Sequence, residues 1–240
     1  MLYLIFNQRM KFKNIFITGS TGVVGKPIFH KLINQGHNVF ALSRNTKNED
    51  FIRTNKAEVV KGDLFSENIY SQLKDKSIDA IFHVAGANQK CQKDPSSMHK
   101  TNIEGTKKIL ELGNNLQIKK FIYTSSAVTL GEQKGKIGNE KSDHRGSFLS
   151  DYEESKFLAE QVAFAFNKNF EFVSINPSSV QGPGRVSGTA KLLISTLNKK
   201  FPRLIKSSVS VVDIEDSTEG HYLGLIKGKN NEKYVLNSFR

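Results

Sequence analysis

The segment Asn14-Ile-Phe-Ile-Thr18 runs directly into Gly19-Ser-Thr-Gly22-Val-Val-Gly25 and decides the fold. Residues 15–17 are all apolar, which is typical of a parallel strand buried on both faces. After the turn, apolar residues recur at helical spacing, at Ile28, Phe29, Leu32 and Ile33, and Gly36 stands where a helix would end. A glycine-rich turn between a buried strand and a helix lets a pyrophosphate approach the backbone at the helix N-terminus. The segment therefore predicts a dinucleotide cradle.

The three glycines of this turn have separate expected roles. We expect Gly19 to make the tight turn, Gly22 to admit the phosphates and Gly25 to let the helix pack closely on the sheet. The expected cofactor-binding turn is completed by Thr21, Val23 and Val24.

The residue after the second predicted strand indicates which dinucleotide binds. That strand, Asn38-Val-Phe-Ala-Leu-Ser43, is followed by Arg44, 19 positions after Gly25, and no acidic residue occurs before Glu49. In such a fold, an acidic residue about 20 positions past the loop binds the ribose hydroxyls of NAD, whereas a nearby arginine accommodates the 2′-phosphate of NADP. We therefore expect NADP(H) to be favoured over NAD(H). The alternative is that Arg44 is a solvated surface residue.

Strand-like and helix-like segments alternate along the rest of the chain. Further strands are predicted at 57–61, 80–84, 120–124 and 170–175, with helices at roughly 98–113 and 151–167. This alternation predicts an α/β fold, a Rossmann-type doubly wound parallel sheet whose ligands bind beyond the carboxyl ends of the strands. We assign residues 11–180 to an NADP-binding Rossmann domain and 181–240 to a partial substrate-binding lobe, with 1–10 as an N-terminal extension.

A second constellation predicts proton transfer beside the cradle. Tyr152 and Lys156 are four residues apart on a predicted helix and share one face. A free tyrosine has a pKa of about 10, and a nearby ammonium favours its phenolate, so we expect Lys156 to lower the pKa of Tyr152. Ser126, just past the strand at 120–124, is expected to stabilise the substrate oxygen as it gains negative charge. Ser125 is the competing candidate for this role.

The predicted helix around Tyr152 also has an expected packing. Ala159 and Ala163 continue the stripe of Tyr152 and Lys156 and would let the helix lie close to the sheet. A neighbouring stripe, expected to enter the core, consists of Leu158, Val162, Ala165 and Phe166.

Charge and cysteine content exclude several other classes of protein. The formal net charge is +12, but the lysines are dispersed, so we expect attraction for phosphorylated ligands and no nucleic-acid partner. The single cysteine, Cys91, allows neither a disulfide framework nor a cysteine metal site, and the histidines lack ligand spacing, so no metal is expected. His83 is interpreted as a packed strand residue. The apolar stretch at 1–6 is too short to span a membrane, and we expect a cytoplasmic enzyme.

Together these motifs resemble the extended short-chain dehydrogenase/reductase superfamily and its NAD-dependent epimerase/dehydratase family, closest to the dihydroflavonol-4-reductase-like and hopanoid-associated sugar-epimerase-like members. The resemblance runs from about Lys11 to Leu236. Besides the glycine turn, it is carried by Gly62-Asp-Leu64, Phe82-His-Val-Ala-Gly86, Asn102-Ile-Glu-Gly-Thr106, Tyr123-Thr-Ser-Ser126, Tyr152 to Lys156, Asn176-Pro177 and Val180-Gln-Gly-Pro183.

The resemblance implies further cofactor contacts. Asp63 and Leu64 would hold the adenine, Lys156 would bind the nicotinamide ribose, and Asn102 would brace the sheet near the cofactor. The remaining implied cofactor-binding residues are Val84, Ala85, Gly86, Thr124, Tyr152, Pro177 and Val180. The resemblance also implies a homodimer formed through the helices near 98–113 and 151–167.

The sequence thus predicts an NADP(H)-dependent oxidoreductase that interconverts a carbonyl and an alcohol through a Ser-Tyr-Lys site. One alternative is a nucleotide-sugar epimerase or dehydratase with bound NAD. Another is a non-catalytic NADP-binding sensor or a truncated fragment, because members of the resembled family usually continue past the strand at 233–236. The substrate, carbonyl or sugar-like, is not identified by the sequence.

Overall fold

The computed structural model describes residues 11–88, 94–186, 188–200 and 209–238. The expected extension at 1–10 and Cys91 lie outside these residues. The strands are β1 Asn14–Thr18, β2 Asn38–Ser43, β3 Glu58–Lys61, β4 Ala80–His83, β5 Lys120–Thr124, β6 Glu171–Pro177, β7 Ser179–Gln181, β8 Val211–Asp213 and β9 Glu232–Leu236. The helices are α1 Gly25–Asn34, α2 Thr46–Thr54, α3 Ile69–Leu73, α4 Ser96–His99, α5 Gly105–Asn115, α6 Asp151–Ala165, α7 Thr189–Leu197 and α8 Ile214–Lys227.

Seven strands form one sheet in the order β3-β2-β1-β4-β5-β6-β9, and every neighbouring pair is parallel. The first six follow the order of a doubly wound Rossmann sheet, so the predicted fold class is confirmed. The strand order reverses between β1 and β4, and a crevice for ligands forms at such a switch point. β7 and β8 make a separate two-stranded parallel pair.

Helices cover both faces of the sheet, because successive strand side chains point to opposite faces. On one face, Phe16 and Phe172 pack with Leu110 of α5 and Ala159 of α6. On the other face, Phe82 is in a second cluster that includes residues of α1 and α8. A strand buried on both faces reads as an uninterrupted apolar run, which is why β1 was recognisable from sequence.

α6 buries one of its two expected stripes but not the other. Ala159 and Ala163 are fully buried, as predicted, but Leu158 is 38% exposed. The expected stripe is therefore wrong for Leu158, Val162 and Ala165, which are exposed or only partly buried, whereas the partly buried Phe166 packs against the core. The buried face instead carries small and polar side chains, among them Ser155, Lys156 and Glu160. These polar groups can be buried because each has hydrogen-bond partners.

Two other features bear on the site. A π-helical segment, Lys100–Glu104, joins α4 to α5, and such segments are frequent at functional sites. β9 lies within 181–240 yet pairs with β6, so part of this segment completes the main sheet. The division into 11–180 and 181–240 stays a prediction. Within the part of the chain that the structure describes, no helix is both long and apolar enough to cross a bilayer.

Candidate active site

The predicted site residues lie in a row along the carboxyl edge of the sheet, because its strands are parallel. The glycine turn follows β1, Arg44 follows β2, Asp63 and Leu64 come shortly after β3, and Val84–Gly86 follow β4. Thr124 ends β5, with Ser125 and Ser126 after it, Pro177 ends β6, and Val180 is in β7. Arg44 and Ser126 are thus separated by three strand spacings, or roughly 14 Å. This places the expected adenosine and catalytic ends on opposite sides of the switch point.

Gly19 and Gly25 are required by the fold of the turn itself. Gly19 has φ +75°, and a Cβ there would lie 2.6 Å from the Ala85 nitrogen. A Cβ on Gly25 would overlap the Gly19 carbonyl oxygen, so this glycine brings the helix close to the turn. The expectation that Gly25 packs the helix on the sheet is therefore corrected to packing on the turn.

Gly22 differs from these two glycines. Its nitrogen donates a hydrogen bond of 3.0 Å to the Gly19 carbonyl, and a Cβ would meet that oxygen at 3.3 Å. Thr21, Gly22 and Val23 are exposed, and Val24 precedes α1 without a side-chain cap. The start of α1 therefore adjoins an exposed turn that a phosphate can approach, but the Lys26 nitrogen donates to the Gly22 carbonyl at 2.9 Å and Pro27 has no N–H to offer.

Arg44 is exposed directly after β2. The nearest acidic residue downstream, Glu49, lies 3.6 Å from the Lys61 ammonium and 3.8 Å from the Arg53 guanidinium. Asn45 caps α2 by accepting a hydrogen bond from the Asn48 nitrogen. Glu49 therefore has cations of its own, while Arg44 projects from the position where the adenosine ribose is expected.

Asp63 shapes the turn after β3. Its Oδ1 accepts hydrogen bonds from the Phe65 nitrogen at 2.8 Å and from the Ser66 hydroxyl at 3.2 Å. The adjacent Leu64 is buried, and a Cβ on Gly105 of α5 would meet it at 2.8 Å. Asp63 is exposed, so a carboxylate oxygen remains open to a ligand at this end of the site.

A buried hydrogen-bond chain fixes the loop after β4. The Thr106 hydroxyl donates its one proton to the Asn102 carbonyl at 2.6 Å. Toward His83 Nε2, 3.1 Å away, the hydroxyl must therefore be the acceptor. His83 Nδ1 then accepts from the Thr18 hydroxyl at 2.8 Å, and that oxygen accepts from the Ala85 nitrogen. Burial lowers the pKa of His83 to about 3, which keeps the ring neutral. The structure thus places His83 as a packed strand residue.

Asn102 joins the loop after β4 to α6. Its Oδ1 accepts from the Ala87 nitrogen at 2.8 Å, and its Nδ2 donates to the Ala87 carbonyl at 3.0 Å and to the Ser155 hydroxyl at 2.9 Å. Ser155 in turn donates to the Tyr152 carbonyl. Both amide protons of Asn102 are therefore used, and the side chain acts as a brace under the site.

Lys156 is buried at the end of β5. Its ammonium donates to the Thr124 carbonyl at 2.8 Å and to the Tyr123 hydroxyl at 3.0 Å. Among the described residues it has no third partner, so one of its three protons is left for a ligand. Burial lowers the pKa of Lys156 to about 8, while Glu160 acts in the opposite direction.

The Tyr152 phenol lies beside Ser126. Burial raises the pKa of Tyr152, and the nearby Ser126 side chain and the charge of Arg185 oppose that rise. The expected lowering of the Tyr152 pKa by Lys156 is therefore wrong for this structure: the groups that oppose the rise are Ser126 and Arg185. A raised pKa keeps Tyr152 protonated, as a proton donor requires.

Ser125 and Ser126 occupy different environments. Ser126 is half-buried and its hydroxyl caps the short 3₁₀ helix Ala127–Leu130, whereas Ser125 is buried and its hydroxyl has no hydrogen-bond partner within the described residues. Of the two, only the Ser126 side chain influences the pKa of Tyr152, and the assignment of Ser126 as the active serine stays a prediction.

Sequence reasoning missed Glu160, His221 and Arg185. Glu160 is fully buried one turn after Lys156, and this spacing was a readable signal. His221 of α8 accepts a hydrogen bond of 3.0 Å from the Thr124 hydroxyl, because its Nδ1 donates to the Ser217 carbonyl. No sequence signal linked His221 to β5. The described residues contain no group of His, Cys, Asp and Glu suited to holding a metal.

Comparison with known proteins identifies the family. Residues 15–236 match the NAD dependent epimerase/dehydratase family. The chain belongs to this family. The resemblance inferred from the sequence motifs is thereby confirmed.

Individual relatives show how much of a family member this chain spans. A Synechocystis protein described as a dihydroflavonol 4-reductase is 29% identical over 231 residues, covering 92% of this chain and 66% of that protein. The protein gox2253, known from a crystal structure, is 30% identical to this chain. The two structures match with a TM-score of 0.85 over 94% of this chain and 70% of gox2253. Gre2 of Candida albicans, in complex with NADPH, shares the fold at 24% identity and TM-score 0.79, covering 95% and 78%.

Proposed function

We propose that this protein is an NADP(H)-dependent oxidoreductase that interconverts a carbonyl and an alcohol. The observation that carries this proposal is the arrangement at the end of β5. There a buried Lys156 ammonium keeps one free proton, one helical turn from a Tyr152 phenol that neighbours the Ser126 hydroxyl. A protein that only binds a dinucleotide has no need of a protonated phenol at this position.

The residues along the carboxyl edge fit a nicotinamide dinucleotide. Gly22 leaves space over the uncapped start of α1 for the pyrophosphate, and Arg44 would bind a 2′-phosphate. Asp63 and Leu64 would hold the adenine side. The third proton of Lys156 would bind the nicotinamide ribose. When bound, the cofactor supplies the hydride chemistry, and the protein supplies orientation and electrostatics.

Each member of the triad has one task in carbonyl reduction. Ser126 donates a hydrogen bond to the substrate oxygen as negative charge develops there. Tyr152, kept protonated by burial, delivers its phenolic proton to that oxygen. Lys156 then stabilises the phenolate that remains. In the oxidation direction, the phenolate accepts the proton.

Substitution of Tyr152 by Phe tests the proposal. We expect kcat for NADPH-dependent reduction of a carbonyl panel to fall by about 100- to 10,000-fold, while NADPH binding is retained because the cradle is intact. Tyr70→Phe is the matched control, since Tyr70 is 43% exposed on α3. Unchanged turnover in the Tyr152 variant would refute the proposed role.

Cofactor retention separates this function from epimerisation. An epimerase regenerates its cofactor in each cycle and keeps NAD bound, whereas an oxidoreductase must exchange it. We therefore expect the purified protein to release no stoichiometric NAD on denaturation. The homodimer stays a prediction, to be checked by light scattering.

A further inference from the structure

Glu160 is a fully buried carboxylate on α6, on the side of the candidate site that adjoins β6 and β9. Its Oε1 accepts a hydrogen bond of 2.6 Å from the Lys233 ammonium of β9, and its Oε2 lies 2.5 Å from Asn176 Nδ2 of β6. Burying a carboxylate is costly unless it is paired and hydrogen-bonded. Glu160 meets both conditions, so its charge is maintained where the candidate catalytic groups converge.

Three side chains donate toward Glu160 Oε2: the Asn176 amide at 2.5 Å, the Thr129 hydroxyl at 3.2 Å and the Ser174 hydroxyl at 3.3 Å. Ser174 donates at 2.9 Å to Asn176 Oδ1, which turns the Asn176 amide nitrogen toward Glu160. One amide proton goes to Glu160, and the other goes to the Thr129 hydroxyl at 3.0 Å. The Thr129 hydroxyl, which also lies near Glu160, donates to the Ser126 carbonyl at 2.9 Å, and Asn176 Nδ2 lies 3.3 Å from the same carbonyl. A hydrogen-bonded cluster thus connects Glu160 through Asn176 and Thr129 to the backbone of Ser126.

We propose that Glu160 is a positioning residue for the triad, fixing the backbone of Ser126 through Asn176 and Thr129 while its charge holds Lys156 in the ammonium form. This inference rests on the proposed function and deepens it. Glu160 itself touches none of the reacting atoms.

The charges around Lys156 support the proposal that Glu160 holds Lys156 in the ammonium form. The neighbouring titratable groups are Tyr123 on β5, His83 on β4 and Tyr152 on α6, with Lys233 beyond Glu160. Burial raises the pKa values of both tyrosines and lowers that of His83 to about 3, so all three are neutral near pH 7. Glu160 lies one helical turn from Lys156 on α6 and, although paired with Lys233, raises the pKa of Lys156, which burial lowers to about 8.

Direct titration of Lys156 tests the charge without any need for turnover. Protein with ¹³C-labelled lysine side chains is followed by NMR against pH, and Lys156→Met identifies the signal. In Glu160→Gln we expect the Lys156 midpoint to fall by about one pH unit, a tenfold change in the ammonium-to-amine ratio. Leu73→Ala, which opens the core at α3, is the control for general destabilisation and should leave the midpoint in place. An unmoved midpoint in Glu160→Gln would overturn the electrostatic part.

Hydrogen exchange tests the hydrogen-bonded cluster. Thr129→Val removes the proton donated to Ser126 with little change in shape. We expect faster amide exchange in 126–131 for this variant, but not for Leu73→Ala, whose faster exchange should centre on α3. Unchanged exchange in 126–131 would overturn the positioning part.

Kinetics separates this inference from the proposed function. At pH 6, where Lys156 is protonated in both proteins, the NADPH Kd of Glu160→Gln should equal that of the wild type. The alkaline limb of its kcat profile should move to lower pH. If the wild-type protein reduces no carbonyl while the Lys156 midpoint still shifts, the proposed function fails and the role of Glu160 toward Lys156 stands. If the wild type turns over and the limb does not move, the inference fails alone.

Discussion

Asn102, in the π-helical segment, donates a hydrogen bond of 2.9 Å to the Ser155 hydroxyl on α6, and the same amide pairs with the backbone of Ala87. This joins the loop that follows β4 to the helix that carries Tyr152 and Lys156. The cofactor cradle and the proton-transfer residues are therefore held in one frame.

Replacing Asn102 by Asp breaks this frame with almost no change in shape. Two donated hydrogen bonds are lost, and an unmet buried group costs about 1–3 kcal/mol. We expect a lower Tm together with a higher NADPH Kd. Asn114→Asp is the matched control, because Asn114 also bonds backbone groups, at Asn167 and Asn169, but is only partly buried. A Kd raised equally in both variants would contradict a local role for Asn102.

The two adjacent serines should separate cleanly. Ser126→Ala removes the hydroxyl beside Tyr152, and loss of one such donor lowers kcat by about 100- to 1,000-fold. Ser125→Ala removes a buried hydroxyl without a hydrogen-bond partner in the described structure, so kcat should stay near that of the wild type. Steady-state kinetics of both variants with one carbonyl substrate decides the matter. The reverse ranking would assign the role to Ser125.

The sheet was predictable from sequence because its signals are local. β1 is an apolar run followed by glycines, and β2 and β5 begin and end where the pattern places them. In the same way, Gly36 follows the end of α1 and has φ +86°, which glycine adopts at little cost. Local propensity and tertiary structure agree at these points.

The contacts that Glu160 makes with β6 and β9 were not predictable from the sequence, because their residues lie far apart in the chain. The buried face of α6 carries Glu160, and only the folded chain brings Lys233, 73 positions away, to pair with it. The prediction that the Leu158 stripe is buried was wrong for the same reason. Hydrophobicity alone does not show that the polar face of α6 has hydrogen-bond partners in the fold and is therefore the buried one. The spacing of residues in the sequence likewise did not predict the hydrogen bond from Lys156 to Tyr123.

Arg44 should determine the cofactor preference. A charged hydrogen bond contributes about 1.5–3 kcal/mol, so Arg44→Asp should weaken NADPH binding by about 10- to 100-fold, with NADH binding unchanged or improved. Fluorescence titration with both cofactors measures the ratio. Lys74→Asp makes the same charge change at an exposed position after α3 and should leave the ratio alone. A ratio that Arg44→Asp does not alter would make Arg44 a solvated surface residue.

Gly19 and Gly22 should respond differently to alanine. Gly19→Ala places a methyl group against the Ala85 backbone at a positive φ, so a lower Tm is expected. Gly22→Ala needs a shift of only a few tenths of an ångström, so Tm should change little, whereas NADPH affinity should fall as the methyl group occupies the phosphate space. Thermal shift with and without NADPH measures both effects. Full NADPH affinity in Gly22→Ala would argue against this position for the pyrophosphate.

The two most deeply buried histidines, His83 and His221, should make the fold sensitive to acid. Burial lowers the pKa of His221 to about 4 and that of His83 to about 3, against 6.5 in the unfolded chain. Below pH 6.5 the unfolded state therefore binds protons that the native state does not, and stability falls as pH decreases. Each histidine adds up to about 1.4 kcal/mol per pH unit between 6.5 and its native pKa. Urea unfolding at pH 7, 6 and 5 measures the slope. In His221→Gln this slope should be shallower even though the protein is less stable at pH 7, and a slope equal to that of the wild type would show that His221 is not the group being titrated.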